Sequence, residues 1–269
     1  MLRESFIFLD GIGAERERQL WQQGIDSWDS FLSAPSIDGV SPRIKIGHDA
    51  AIRRAQRAMQ EKDHQHFARL LPLPETYRLF NDFKDDVCYL DIETSGMYGD
   101  VTVVGVYDGY DAHTFVRGFN LDRERIAEYL KEFKLIVTFN GATFDLPVMR
   151  KYLHLDTSHI PHIDLRGVCS RIGLTGGLKH IERTVGIKRP DEVSEMDGWE
   201  AVRLWQKWRL GDKAALDKLL LYNEQDIVNL KPLAKMAVEK LWARTRNEWR
   251  YDRKDDPNAS IVESVTHRT

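Results

Sequence analysis

An α/β fold is the class that this 269-residue sequence predicts: a mixed five-stranded sheet flanked by helices, preceded by a small all-helical domain. Three observations carry the prediction. Residues 1–80 space their apolar side chains at helical intervals, residues 87–140 contain short apolar runs that read as buried strands, and Pro72 and Pro74 separate the two patterns. The division expected from them is a helical domain over 1–80, an α/β domain over 81–241, and a C-terminal tail over 242–269 that lacks clear periodicity and is expected to be flexible.

In the first domain, helices are expected at 15–23 and 27–32, with a turn at Gly24, and over a long run from 48 to 70. The segment LLPLPETYRLF cannot continue that last helix, because proline lacks the backbone donor, and it reads as a linker or extended arm. VCYLDIE (87–93), DVTVVGVYDG (100–109) and DAHTFV (111–116) follow, separated by turns, and predict a three-strand meander. Residues 122–133 place Ile126, Leu130 and Phe133 on one helical face, LIVTFN (135–140) is a further buried strand, a helix starts near Asp145, and HIDL (162–165) is a short last strand. Three strands, a helix, a strand, a helix and a strand are the order of a mixed sheet. From Leu165 to Leu241 the pattern is mainly helical, punctuated by glycines such as Gly173, Gly186 and Gly211.

Composition narrows the function classes. With 42% hydrophobic and 30% charged residues the chain can bury one good core and retain a small accessory domain. A net charge of -3 gives no global basic field, so polyanion binding requires a local patch. Two cysteines, Cys88 and Cys169, exclude a disulfide framework and lack the paired spacing of a zinc site, which fits a reducing cytoplasm. No stretch approaches the roughly 20 apolar residues that span a bilayer, and the N-terminus has no long apolar run, so a soluble, unsecreted, cytoplasmic protein is expected.

The chemistry rests on three acidic motifs. In LDIET, Asp91 and Glu93 sit two apart at the end of an apolar strand, and so share one face about 6.6 Å apart along the backbone. Burying two unpaired carboxylates is costly, and a cation between them relieves the cost. A strand ending in solvent would also accommodate them as ordinary surface acids. In FNGATFD, Asn140 ends a strand, Gly141 turns the chain and Asp145 opens a helix, at the sheet edge where functional groups commonly lie. Asp145 there also suits an N-cap. In YNEQD, Tyr222 and Asp226 lie one helical turn apart and can address one metal-bound water, although a half-buried Tyr beside an exposed Asp has the same spacing.

The three motifs in this order resemble the DEDD exonuclease superfamily, tyrosine subtype, with DIET, FNGATFD and YNEQD as its three motifs, over roughly 85–235. The chain is also similar to the stand-alone YprB-type ribonuclease-H-like family in the strings FNGATFDLP, HIDL and GGLKHIE. The resemblance implies a ribonuclease-H-like 3′→5′ exonuclease acting on single-stranded 3′ ends, DNA favoured over RNA, with two Mg²⁺ or Mn²⁺ ions. It implies that Asp91 bridges both ions, that Glu93 and Asp226 complete the nucleophile-side metal and that Asp145 holds the other largely through water. Tyr222 would then orient the attacking water, a role suited to a phenol that stays protonated near neutral pH. Asn140, Thr94 and Lys179 are the candidate substrate contacts, although Lys179, after a Gly pair that would open a helix, equally fits a solvated helix residue. The alternative is a non-catalytic nucleic-acid-binding or scaffold protein that retains the fold, and small nucleotides are a further substrate class.

Other residues carry weaker signals. Asp164 and His162 in HIDL read as structural, and Arg183, Lys188 and Arg189 form a positive run of the kind that usually covers a solvated face. LDGIGAERERQLWQQGI resembles a helix-hairpin-helix element, which implies duplex contact through residues 1–80, with the amides at Gly11 and Gly13 addressing a phosphate. A purely structural helical hairpin fits the same residues. Arg53, Arg54 and Arg57 could supply positive surface or serve solubility alone.

Overall fold

The computed structural model describes residues 1–96 and 99–252, with side chains up to 247. Two compact units emerge: Met1–Glu61 with the described residues from Glu239 onward, and Lys62–Val238. This division falls some twenty residues before the change of pattern near 81, for a reason visible in the proline segment. Leu73–Leu79 is not an extended arm but a 3-10 helix with proline in its first turn, and Tyr77, Leu79 and Phe83 beyond it are buried. Arg78 is buried with them and pairs with Glu75, so the segment is part of the second unit's interior.

In the first unit α1 spans Ala14–Gln22, α2 Trp28–Ser33 and α3 Pro42–Gln60. Ser27 and Ser41 cap α2 and α3 by accepting from Ser30 N and Ile44 N, and Pro42 occupies the first turn of α3, where its missing donor costs nothing. The run expected over 48–70 therefore begins earlier, and it is broken at Lys62, whose φ of 52° lies in the left-handed region. α4 (His64–Leu70) restarts with Asp63 as cap. The unit's core is aromatic: Phe6, Phe31, Trp21 and Trp28 are buried, with Phe6 and Phe31 5.4 Å apart. Glu17 is buried among them and accepts from Phe6 N (2.6 Å), Ser5 Oγ (2.9 Å) and Ile7 N (3.2 Å). A buried carboxylate bonded to so many donors is a clip that fixes residues 5–7 against α1.

The second unit continues with α5 (Phe80–Phe83) and then a sheet of β1 (Val87–Thr94), β2 (Val101–Tyr107), β3 (Ala112–Val116), β4 (Leu135–Thr138) and β5 (His162–Asp164). The spatial order is β3-β2-β1-β4-β5, antiparallel across β1–β2 and β2–β3 and parallel across β1–β4 and β4–β5. α6 (Arg123–Leu130) and α7 (Asp145–Tyr152) provide the crossovers that parallel pairing requires. The helical remainder is α8 (Leu165–Arg171), α9 (Leu178–Val185), α10 (Asp191–Ser194), α11 (Gly198–Arg209), α12 (Lys213–Val228) and α13 (Leu230–Asp252). The stretch 242–252, expected as tail, is the end of α13, and 253–269 lie outside the described residues.

Strand alternation divides the core into two layers. Cys88, Leu90 and Ile92 of β1 pack with Ile126, Leu130 and Met149 of α6 and α7. On the opposite face, Val103 of β2 and Val116 of β3 pack with Leu204, Trp205, Leu219 and Tyr222 of α11 and α12. Asp91 and Glu93 alternate out of the first layer and so belong to the face that α12 covers.

Replacing Glu17 by Ala would strand the Phe6 and Ile7 donors in the interior, so the variant is expected to lose about 2–3 kcal/mol in urea unfolding, with the midpoint lowered. An unchanged midpoint would show that residues 5–7 are held by other means.

Candidate metal centre

Asp91 and Glu93 on β1 and Asp226 on α12 each offer a carboxylate oxygen such that all three lie within 4.8 Å of one another. Asp226 is buried, not the exposed acid that its spacing also allowed. Asp145 is the first residue of α7, with Phe144 and not Asp145 at the N-cap position. Its Oδ1 accepts from Ile92 N at 3.1 Å, which ties the helix start to β1 between the two strand acids. Asp91 Oδ2 accepts from Asn223 Nδ2 at 2.9 Å. Asn223 reaches it because the residue paired with Asp91 on β2 is Gly105, and a side-chain carbon there would overlap Asn223 Oδ1. A glycine inside a strand commonly marks such a close approach.

Burial and mutual repulsion dominate the electrostatics. Burial first, and then the neighbouring carboxylates, hold Asp91 and Glu93 well above the ordinary carboxylate range. Burial pushes Asp145 up to about 7 against the opposing hydrogen bond from Ile92 N. Asp226 is raised by burial, with Arg189 acting in the opposite direction. Arg189, expected on a solvated face, is buried: its Nη2 lies 2.6 Å from Asp226 Oδ1, and Nε and Nη2 both bond the buried Glu182. The pairing fixes one oxygen of Asp226 and leaves Oδ2 without a protein partner among the described residues.

Tyr222 is likewise buried, and burial followed by the Asp226 charge raises its phenol, so it remains a protonated donor. Lys179, at the start of α9, donates to Tyr222 Oη at 3.0 Å and to the Met196 carbonyl, and lies 4.2 Å from the Tyr222 ring centre. Thr94 lines the same cleft of about 320 Å³ as Asp91, Glu93 and Asp226, together with Phe144 and Trp199. Asn140 does not line it. With φ 69° it forms the β4–α7 turn, and its Oδ1 accepts from Arg166 and Thr143 in a separate cleft beside Tyr77. Asp164 accepts from Asn140 N (2.7 Å), Ala142 N (3.1 Å) and Arg166 N (3.0 Å), clipping the same turn. His162, pushed down to about 4 by burial, bonds Thr138 Oγ1 at 2.8 Å, while that hydroxyl also accepts from Gly141 N. Gly11 (φ 72°) and Gly13, the N-cap of α1, belong to the first unit, and Arg53, Arg54 and Arg57 are exposed on α3.

A hard divalent cation fits this donor set. All donors are oxygens, as Mg²⁺ and Mn²⁺ prefer, and the carboxylates repel one another unless protonated or bridged. A mixed sheet with a carboxylate pair on its central strand and a third acid on the covering helix defines a ribonuclease-H-like domain. A family model of the RNase H superfamily matches residues 88–238, and the chain belongs to that superfamily. No curated protein matches it in sequence. The fold and the acidic cluster together are consistent with a nuclease, and no described helix is long and apolar enough to cross a membrane.

Asn223, Glu182, Gly105 and Trp199 carry no reading in the sequence analysis, and Arg189 is read there only as part of a solvated positive run. Gly105 inside an apolar strand carried a local signal, whereas the Arg189 pairing did not, because its partners come from α9 and α12.

Two measurements test this electrostatic account. Gly105→Ala is expected to cost about 1–3 kcal/mol and to disturb Asp91, read as a lower melting temperature with weaker Mn²⁺ stabilisation. Asp145 binds its proton more tightly folded than unfolded, so its contribution to stability is complete below its ordinary value near 3.8 and is lost as pH rises through about 7. In chelator the melting temperature should therefore fall from pH 5 to 8, and Asp145→Asn should flatten that slope. An unchanged slope in the variant contradicts the assignment.

Proposed function

We propose that the protein is a divalent-metal-dependent 3′→5′ exonuclease of the DEDD tyrosine subtype, similar to the YprB-type family, removing nucleotides from single-stranded 3′ ends of DNA and secondarily of RNA. The observation that carries the reading is the convergence of Asp91, Glu93 and Asp226 around one position, with Tyr222 one turn from Asp226 on the same helix.

Asp91, Glu93 and the free Oδ2 of Asp226 would hold one Mg²⁺ or Mn²⁺ ion, and Asp91 with Asp145 a second. Two such ions supply a hydroxide-like nucleophile and stabilise the leaving 3′ oxygen. The protein's own groups do the positioning. Asn223 and Arg189 orient Asp91 and Asp226, the Ile92 amide holds Asp145, and Tyr222, protonated and bonded to Lys179, orients the attacking water and does not abstract its proton. Thr94, which lines the cleft with the acids, and Lys179, bonded to Tyr222, would meet the scissile phosphate, whereas Asn140 would act through a neighbouring segment of the nucleic-acid strand. The Gly11–Gly13 turn, with the exposed arginines of α3, supports duplex contact by the first unit.

A second reading, a binding or scaffold protein that retains the fold, is favoured by one observation: Arg189 already neutralises Asp226. Incubating 5′-labelled DNA and RNA oligonucleotides with Mn²⁺, Mg²⁺ or chelator separates the two. The exonuclease should give a metal-dependent ladder shortening from the 3′ end, and Asp91→Ala should reduce it at least about 100-fold, in line with the loss of a central charge-stabilising group. Degradation that persists in chelator overturns the metal-dependent scheme, and binding without turnover on every substrate supports the scaffold.

A further inference from the structure

A second cavity in the Lys62–Val238 unit lies apart from the acids. It encloses about 590 Å³, in the range of small-ligand sites, and none of Asp91, Glu93, Asp145 or Asp226 lines it. Leu71, Leu73, Leu146, Ile160 and Pro161 give it apolar walls, drawn from the end of α4, the 3-10 helix, α7 and the approach to β5.

Set into these walls are polar groups that the chain leaves unused. Thr76 and Thr157 are only 4% and 8% exposed, and neither hydroxyl has a hydrogen-bond partner among the described residues. A buried hydroxyl without a bond costs about 1–3 kcal/mol, which a partner in the cavity would recover. His162 adds a third group. Thr138 Oγ1 is fully buried and accepts from Gly141 N, and its own hydrogen has His162 Nε2 as its only partner among the described residues. Nε2 is therefore the acceptor, and the imidazole, kept neutral by burial, carries its hydrogen on Nδ1, which has no partner among the described residues.

The exposed residues of the lining carry charge. Arg150 and Lys151, in the last turn of α7, are both exposed. Arg150 has no ion pair among the described residues, and Lys151 Nζ lies 4.8 Å from the Tyr152 ring centre. Asp156, the acid of the lining, is engaged within its own loop, where it accepts from Ser158 N and Ser158 Oγ, each at 3.1 Å.

An occupant that satisfies both ends has a compact ring with acceptors in its plane and apolar faces, joined to an anion. We infer that this cavity is a second ligand site, which takes a nucleoside 5′-monophosphate with its base among Thr76, Thr157 and His162 and its phosphate between Arg150 and Lys151. The inference rests on the exonuclease reading for the supply of ligand, since that reaction releases nucleoside monophosphates. Ala142, Leu146 and Pro147 also line the cavity, so the bound nucleotide rests on the turn and helix that hold Asp145.

Isothermal titration calorimetry of the full-length protein in chelator, which removes binding through a metal ion, tests the site. The probes are thymidine and deoxyadenosine 5′-monophosphates, the matching nucleosides and inorganic phosphate. One equivalent of each monophosphate should bind, at least about 10-fold more tightly than nucleoside or phosphate alone, as expected for one added hydrogen bond to a charged group. Arg150→Glu should weaken the monophosphates at least about 10-fold and leave the weaker nucleoside binding unchanged, and Arg150→Lys should retain most of the affinity. Thr76→Val, which keeps the shape and removes the hydroxyl, should weaken monophosphate and nucleoside alike by about 2- to 10-fold. No monophosphate binding, binding that Arg150→Glu and Thr76→Val leave unaltered, or inorganic phosphate bound as tightly as the monophosphates would each overturn the inference. Turnover of 5′-labelled oligonucleotides in Mn²⁺ is scored separately. This binding pattern without hydrolysis retains the nucleotide site and removes the exonuclease, whereas hydrolysis without monophosphate binding in chelator removes the nucleotide site alone.

Discussion

Several carboxylates crowded onto the covered face of a sheet set the terms for everything around them. Asp91 and Glu93 cannot leave that face without moving Leu90 and Ile92 out of the opposite core layer, because the strand alternates. Asp226 cannot leave either, since α12 also carries Leu219 and Tyr222 into the sheet. The hydrophobic core thus enforces an electrostatic conflict, and the surrounding groups are arranged to contain it. Arg189 and Lys179 bring positive charge, Asn223 and the Ile92 amide donate hydrogen bonds, and a divalent cation would complete the neutralisation.

How far the sequence revealed this depends on the range of each interaction. The strand pair Asp91 and Glu93 and the helix pair Tyr222 and Asp226 were legible because period two and period four are local properties of backbone geometry. The mixed α/β class followed from the alternation of apolar runs and helical segments along the chain, not the spatial order of the strands. What the sequence hid was contingent on tertiary placement. Arg189 looks like one member of a basic run, and only the turn after α9 brings it between Glu182 and Asp226. Asn223 is indistinguishable from a surface amide until Gly105 opens the space beside Asp91. Trp199, after a glycine at the start of a helix, carries no periodic signal. The ends of α3 and the start of α4 were displaced for simpler reasons: a left-handed Lys62 and the caps Ser41 and Asp63 override apolar spacing.

The first unit uses a buried carboxylate in the opposite sense. Glu17 accepts from Ser5 Oγ, Phe6 N and Ile7 N and serves to hold a segment in place. The indole nitrogens of Trp21 and Trp28 do comparable work on the carbonyls of Glu4 and Ser5. In this small helical unit hydrogen bonds from large side chains fix what a longer core would fix by contact.

The hold of β5 on the β4–α7 turn bears on motion. Asp164 and His162 belong to a three-residue strand at the sheet edge, yet they secure Asn140, Ala142 and Thr138, the residues that lead into Asp145. Edge strands open more readily than central ones, and hydrogen exchange resolves such openings. Asp145 is held from two sides, by the Ile92 amide of β1 and by the turn that β5 clips, while Asp91 and Glu93 stand on the central strand itself. The cleft therefore depends on an edge strand that supplies none of its carboxylates.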